Sequence, residues 1–257
     1  MSYSPLDQFW LRVARGQISE YTSNHRFGTY DSVTTTFVPI ARGGVYQTPT
    51  TAAALEVVSD DANDTSAGTG ARTVTITGLD ANWVEQTETV SMNGTTAVAL
   101  SNTYIRVYYM VVATSGTYGN ATAASHVGTI TLQGTGAGVI WMQIYAGNFP
   151  RGVSECGVFT VPSGKTALIE YHYLSVESNK PATVIVFKRD NPDTVTAPYS
   201  AVTAEFELAG IQGFATLMDI AAPEGPFVGP CDIGFMARLA TGTGSVSVAF
   251  EIILYTT

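Results

Sequence analysis

Residues 57–98, where two Thr/Val-rich runs are joined by a polar turn, constrain this chain more than any other feature, the first run alternating cleanly and the second less so. Val74 and Ile76 point one way while Thr73, Thr75 and Thr77 point the other, the period of two of a strand buried on one face. A second run, Trp83 to Met92, follows the polar turn Gly78–Asn82, so the pair reads as a β-hairpin. Small polar residues border it at Asp60–Gly70 and Asn93–Thr96, a composition of surface loops. The same grammar continues to the C-terminus: Val246, Val248, Phe250, Ile252 and Leu254 alternate with Ser245, Ser247, Ala249 and Glu251.

From Leu55 onward, short strands are separated by Gly, Asn, Ser and Pro, and crossover helices are not evident. The chain is therefore expected to be all-β, a sandwich or barrel rather than a parallel α/β sheet. First-half strands are predicted at Leu55–Ser59, Arg72–Thr77, Trp83–Met92, Tyr104–Ala113, Thr129–Leu132 and Val139–Tyr145. Those of the second half fall at Ala167–Val176, Ala182–Arg189, Thr203–Leu208, Ile233–Leu239 and Ser245–Tyr255. Tyr104–Ala113 is apolar almost throughout and reads as a central strand, covered on both faces or contacting a neighbouring subunit. Strand signals lapse in Ala146–Gly157, which marks a boundary. The expected architecture is two consecutive antiparallel β-sandwich or jelly-roll-like units, 51–147 and 148–257, preceded by a short helix and extended arm over 1–50.

The helix rests on Ser4 as N-cap, Pro5 in the first turn, Asp7 at the positive dipole end and Gly16 as the stop, with Leu6, Phe9, Trp10 and Val13 as its apolar stripe. So short a helix needs a docking surface, on its own body or on a partner. Residues 17–49 carry scattered aromatics without a period and read as an extended arm.

Only 13% of residues are charged, and the net charge is −9. An acidic body without a Lys/Arg cluster argues against direct nucleic-acid binding and against membrane-surface binding. Cys156 and Cys231 are too few for a disulfide framework or a thiolate metal site and read as buried thiols, with pairing as the alternative. The start, MSYSPLDQFW, lacks a basic region followed by an apolar run, and no long apolar span occurs, so a soluble product made in a cytoplasm is expected.

The candidate chemistry is thin. His25, His126 and His172 are far apart in sequence and fit no metal-ligand spacing. Asp60, Asp61, Asn63 and Asp64 offer hard oxygens of the kind calcium prefers but lack the glycine and distal glutamate of an EF-hand loop, so a solvated acidic loop is expected. Glu85 with Glu88, or Glu205 with Glu207, could be imagined as a glycosidase pair, although Glu205 and Glu207 alternate with Phe206 and Leu208 as a wet strand face. The glycine-rich stretches lack phosphate-binding signatures, and no nucleophile elbow occurs. These readings argue against an enzyme and imply no cofactor or metal. Tyr118 and Tyr199, in loops, are the tyrosines best suited to touching a ligand.

Three stretches, TSAGTGARTVTITGLDANWVEQTETVSMNGTT, LRVARGQISEYTSNHRFGTY and VPSGKTALIEYHYLSVES, together resemble segments of tailed-bacteriophage virion structural proteins. The resemblance implies a particle component with an N-terminal anchoring arm and a β-rich body, attached to head or tail. Its partners would be other virion proteins and further copies of itself, a trimer being one such assembly, and its location the virion, assembled in the host cytoplasm. On that reading Phe9, Trp10, Val13, Phe27 and Tyr30 are expected as docking anchors, with Arg12, Arg15 and Arg26 fixing orientation against acidic or backbone acceptors. An arm folded back on its own body is the alternative. A receptor- or carbohydrate-binding tail module is the second functional class.

Overall fold

The structure, a computed structural model, describes residues 9–119, 125–146, 151–218 and 223–256. Helix α1 spans Phe9–Ala14 and is followed by β1 (Tyr21–Val33), β2 (Val38–Pro39) and a 3-10 turn at Arg42–Gly44. The first half continues with β3 (Ala53–Ser59), β4 (Ala71–Leu79), β5 (Glu85–Ser91), β6 (Val98–Tyr104), β7 (Arg106–Ser115), β8 (Ile130–Gly134) and β9 (Ile140–Ile144). The second half holds β10 (Val158–Val161), β11 (Lys165–Val176), β12 (Ala182–Asp190), β13 (Thr203–Ile211), β14 (Gly213–Met218), β15 (Glu224–Val228), β16 (Cys231–Leu239) and β17 (Gly244–Thr256).

The fold is all-β, and the described strands pair antiparallel in four sheets. Two belong to the first half, in the orders β6-β3-β8-β9 and β5-β4-β7. Two belong mainly to the second: β1-β17-β11-β14, with β15 also on β11, and β10-β16-β12-β13, with β2 on β16. Apolar side chains gather in two buried clusters. One, including Leu55, Val57, Val74, Ile76, Met110, Leu132 and Ile144, is built mainly by the first-half sheets. The other, including Leu174, Val184, Phe235, Val248, Phe250 and Ile252, is built mainly by the second-half sheets.

The 57–98 alternation is realised as read. Val74 and Ile76 are fully buried, and on the other face Thr73 bonds Thr114 (2.6 Å), Thr75 bonds Thr89 (2.8 Å) and Thr77 lies 3.3 Å from Thr87. Cross-strand hydroxyl pairs of this kind fix register on a wet face. The turn itself sits later than Gly78–Asn82. Asp80 accepts from the backbone N–H groups of Asn82 and Val84 (2.8 and 3.0 Å), while Trp83 takes a positive φ of 62° and turns into the core. The second strand therefore starts at Glu85 rather than Trp83.

Tyr104–Ala113 departs from expectation in a different way. A break at Ile105 divides it between β6 and β7, and β7 lies at the edge of its sheet, not the centre. The nearly continuous apolar run, interrupted only by Arg106, has another cause: Val107 and Met110 enter the first-half cluster, whereas Ile105 and Tyr108 enter the second. Both faces of one strand are buried because each serves a different core.

The segment expected as an extended arm is the largest correction. Residues 21–33 form a strand of the body, paired along its length with β17, Arg26 opposite Phe250 and Gly28 opposite Val248. The face that β1 turns to the core carries Asn24, Arg26 and Gly28 instead of aliphatics, so no apolar period betrays it. Gly28 is required there by close approach. A Cβ at this position would lie 2.1 Å from the Ile40 carbonyl oxygen and 2.3 Å from the Gly157 nitrogen. Stitching continues through Cys156 N–H to Phe27 O (2.8 Å), Gly157 N–H to Ile40 O (2.8 Å) and Arg42 N–H to Glu155 O (2.9 Å). Gly16, at φ 63°, ends α1 as expected, and Val13 is buried. The caps expected at Ser4, Pro5 and Asp7 lie outside the described residues.

Candidate ligand cleft

Where β1 passes the β5-β4-β7 sheet, two adjoining cavities of about 320 and 190 Å3 share His25, Arg26 and Tyr109. The larger is walled by Asn24, Thr77, Thr87 and Glu85, and the smaller by Tyr108, Val153, Ser154 and Cys156. Pairing with β17 fixes the Arg26 backbone, and its guanidinium reaches aromatic rings of the neighbouring elements. It lies 4.7 Å from the Tyr109 ring centre, 5.5 Å from Tyr108 and 5.7 Å from Phe159, a cation–π arrangement. The Arg26 side chain is half-buried, and its Nε is buried without a hydrogen-bond partner. Within the chain, Arg26 therefore meets aromatic faces.

The surrounding polar groups are positioned by the sheet. Tyr108 donates its hydroxyl to Glu85 Oε2 at 2.5 Å, and burial, with the Glu85 charge adding, pushes this phenol well above its ordinary range. Ser154 Oγ accepts the Met110 N–H at 2.9 Å. His25 Nδ1 stands 3.3 Å from Glu251, with its own side chain largely exposed.

Behind the cleft, a fully buried ionic network joins β7 to β16. Arg106 Nε and Nη2 each donate to Asp232, both at 3.0 Å, and Nη1 donates to the Pro49 and Ile105 carbonyls at 3.1 and 2.8 Å. Thr160 donates to Asp232 at 2.5 Å and lies 2.6 Å from the Tyr46 hydroxyl, while Trp83 covers the guanidinium at 4.8 Å. Burial holds the Tyr46 phenol well above its usual range, and the Asp232 charge reinforces the shift. A second cluster secures the former arm: Arg42 binds buried Glu155 (Nε to Oε2, 2.7 Å), pairs with Asp31 and stacks on Tyr145 at 4.6 Å.

Of the anchors expected from sequence, the structure brings Arg26 and Phe27 to the cleft. Tyr30 packs on the second-half core instead, its ring close enough to Gly44 that a Cβ there would lie 2.6 Å from it. Val13 is buried, Arg12 half-buried and Arg15 exposed on or just after α1, apart from the cleft. The side chains of Phe9 and Trp10 lie outside the described residues. Tyr109, Thr77 and Thr87 went unread as site residues because they belong to runs already explained as strands, Tyr109 in the apolar run and the two threonines in the hairpin.

The other candidates separate. Glu88 accepts the Ser101 and Asn102 N–H groups (2.7 and 3.0 Å) while Glu85 binds Tyr108, so the two engage different partners and do not face one another as a catalytic pair. Glu205 pairs with Lys188 at 3.2 Å on an exposed strand face. Tyr118 and Tyr199 are exposed but line none of the cavities above. Cys156 and Cys231 are free, buried thiols, pushed by burial up to about 11 and about 12. The Asp60–Asp64 loop is not simply solvated, since Asp64 is fully buried.

His172 is a core residue packed 5.2 Å from the Phe235 ring, with Nδ1 3.9 Å from Glu224. Burial pulls its pKa down to about 4, so the imidazole is neutral in the fold while an unfolded one takes a proton near its ordinary value. Stability is therefore full above about pH 6.5 and falls as pH drops toward 4, by about 3 kcal/mol for this group alone. Glu224 opposes part of this fall, because burial and the Glu205 charge raise its pKa and favour proton uptake in the fold. Urea titrations across this range are expected to show a flatter pH dependence for His172→Gln than for the parent chain. Parallel profiles would show that the imidazole does not resist protonation.

No family model matches the chain, and no curated protein matches it. Among solved structures, it is similar to the crystal structure of the infectious bursal disease virus VP2 subviral particle, at 12% identity and a TM-score of 0.21, covering 92% of this chain and 72% of that one. It is also similar to the structure of the infectious bursal disease virus Gx strain, at 13% identity and a TM-score of 0.18, covering 92% and 76%. Likenesses of this strength carry no argument about fold or function.

Proposed function

We propose that the chain is a non-enzymatic structural protein of a tailed-bacteriophage particle, a tail-attached or capsid-decorating component that assembles with copies of itself and with other virion proteins. The observation that supports this most is the outer face of the β1-β17-β11-β14 sheet. There Phe214, 67% exposed, stacks on Tyr173 with ring centres 6.0 Å apart. Phe27, Ala249, Ser247 and Ser175 extend a shallow, mainly apolar groove across the strands. An apolar patch on a body with so few charges suits burial against a neighbour. Separate cores also favour two consecutive sandwich or jelly-roll-like units, the second completed by β1. Assembly then runs through sheet faces more than through a free arm.

Two measurements test the reading: light scattering of the full chain, and protein content of purified particles from the source that encodes it. A defined oligomer, weakened by Phe214→Glu, together with recovery of the chain from particles, is the expected result. Absence from particles overturns the virion assignment, and a monomer unaffected by Phe214→Glu overturns self-assembly through this face. The second reading, a receptor- or carbohydrate-binding tail module, is favoured by the polar cleft at Arg26.

A further inference from the structure

We propose that the Arg26 cleft binds a saccharide unit bearing a carboxylate, a sugar acid of the uronic or sialic type, by setting the carboxylate on the guanidinium and the ring against Tyr109. A buried guanidinium is ordinarily met by a carboxylate, because without an anion its desolvation is poorly compensated. In the same molecule Arg42 and Arg106 obey that rule, each bound to a buried acid. Arg26 is half-buried and has no such acid: it rests on aromatic faces, its Nε, like that of Arg189, lacks a partner, and the cavities that open beside it leave the guanidinium accessible to a ligand. A guanidinium fork is suited to a planar carboxylate, so the missing acid is the first element of ligand specificity.

The walls supply the second. The Asn24 amide, the Thr77 and Thr87 hydroxyls and the Glu85 carboxylate surround the larger cavity. Together they offer donors and acceptors for several hydroxyl groups, whereas an aliphatic acid would leave them unused. Tyr109 provides an aromatic face next to the charge, against which the C–H face of a pyranose can pack. The volume of about 320 Å3 matches the lower end of small-ligand sites, roughly 300 Å3, which suits one sugar ring more than a peptide segment. Glu85 disfavours a dianionic phosphate by charge repulsion, and the chain's net charge of −9 disfavours a polyanionic nucleic acid. Specificity for one acidic ring follows from this combination of a single cation, one nearby carboxylate and several neutral polar groups.

The proposal rests on the saccharide-binding reading and not on particle assembly. Its test reads ligand uptake, while that of the particle reading reads mass and particle content, so each can fail alone. Full-length protein would be titrated calorimetrically with glucuronate, galacturonate, N-acetylneuraminate, glucose, acetate and inorganic phosphate. Saturable binding of at least one sugar acid is expected, with glucose and acetate at least about tenfold weaker. Arg26→Gln and Tyr109→Leu should each reduce affinity by about tenfold or more. Thr87→Trp, on the exposed rim, should block uptake even if the first two variants fold poorly, and Lys180→Gln, at a residue that lines neither cavity, should leave it unchanged. Binding of phosphate in preference to all three sugar acids, equal binding of glucose, or undiminished binding by Thr87→Trp would each overturn the assignment, as would no uptake of any sugar acid at millimolar concentration.

Discussion

Replacing Arg106 by alanine is expected to lower stability by about 3–5 kcal/mol, the range for breaking one side of a buried ion pair. Arg106 and Asp232 are 1% and 2% exposed, so neither charge has water to fall back on. With the guanidinium gone, Asp232 keeps only the Thr160 hydroxyl, and the Pro49 and Ile105 carbonyls lose their donor. The consequence is not local. β7 carries side chains into both cores and β16 lies inside a second-half sheet, so the pair fastens one half of the molecule to the other. Asp232→Ala should be similarly damaging, since it leaves an unpaired cation under Trp83. The double variant Arg106→Met/Asp232→Leu should recover much of the loss, because removing both charges also removes the burial penalty. Urea denaturation of the four proteins compares the loss from one unpaired charge with the loss when both charges are removed. Single variants within about 1 kcal/mol of the parent, the level of a surface pair, would show that the network contributes little.

Much of the fold was legible where one face of a strand is wet. The threonine ladder of β4 and the serine–valine alternation of β17 announce both strand and orientation, because solvent enforces polarity on one side. Legibility failed where tertiary packing replaced that rule. β1 hides because its core face holds Asn24, Arg26 and Gly28, the glycine chosen by the backbone crossing above it rather than by any turn. β7 misled in the opposite direction: near-continuous apolarity suggested a central strand, but it marks an edge strand between two cores. Within that run, Arg106 was a usable signal, since a lone arginine in an apolar strand demands a buried acid. Its partner, 126 residues later, was not. The cleft itself was not legible: Arg26 and Phe27 were singled out as docking residues of an arm, not as walls of a cavity. Their surroundings depend on β1 meeting β4, β5 and β7, a juxtaposition that no local pattern records.

Asp64 shows how a sequence motif for one role can serve another. The Asp60–Asp64 run suggests cation ligands or a solvated loop, yet Asp64 is fully buried and both carboxylate oxygens are occupied. Oδ1 accepts the Ala71 and Val127 N–H groups at 2.7 and 2.9 Å, and Oδ2 accepts the Ser59 hydroxyl and the Gly128 N–H at 2.6 and 2.8 Å. One side chain therefore joins the end of β3, the start of β4 and the approach to β8. A Cβ at residue 70 would sit 2.0 Å from Oδ1, which explains the glycine beside it. Asp64→Ala should cost about 3–5 kcal/mol, because several buried donors lose their acceptor together. Asp64→Asn should fall between alanine and the parent, its oxygen retained but its amide nitrogen set against backbone donors. Asp61→Ala is the matched control: its carboxylate closes only a local turn onto Asn63, and a change within about 1 kcal/mol is expected. Equal denaturation midpoints for Asp64→Ala and Asp61→Ala would remove Asp64 as the joint of the three strands. A large separation would identify the acidic run as a buried clamp that gathers strands through backbone N–H groups, with Asp64's oxygens already committed before any cation could be bound.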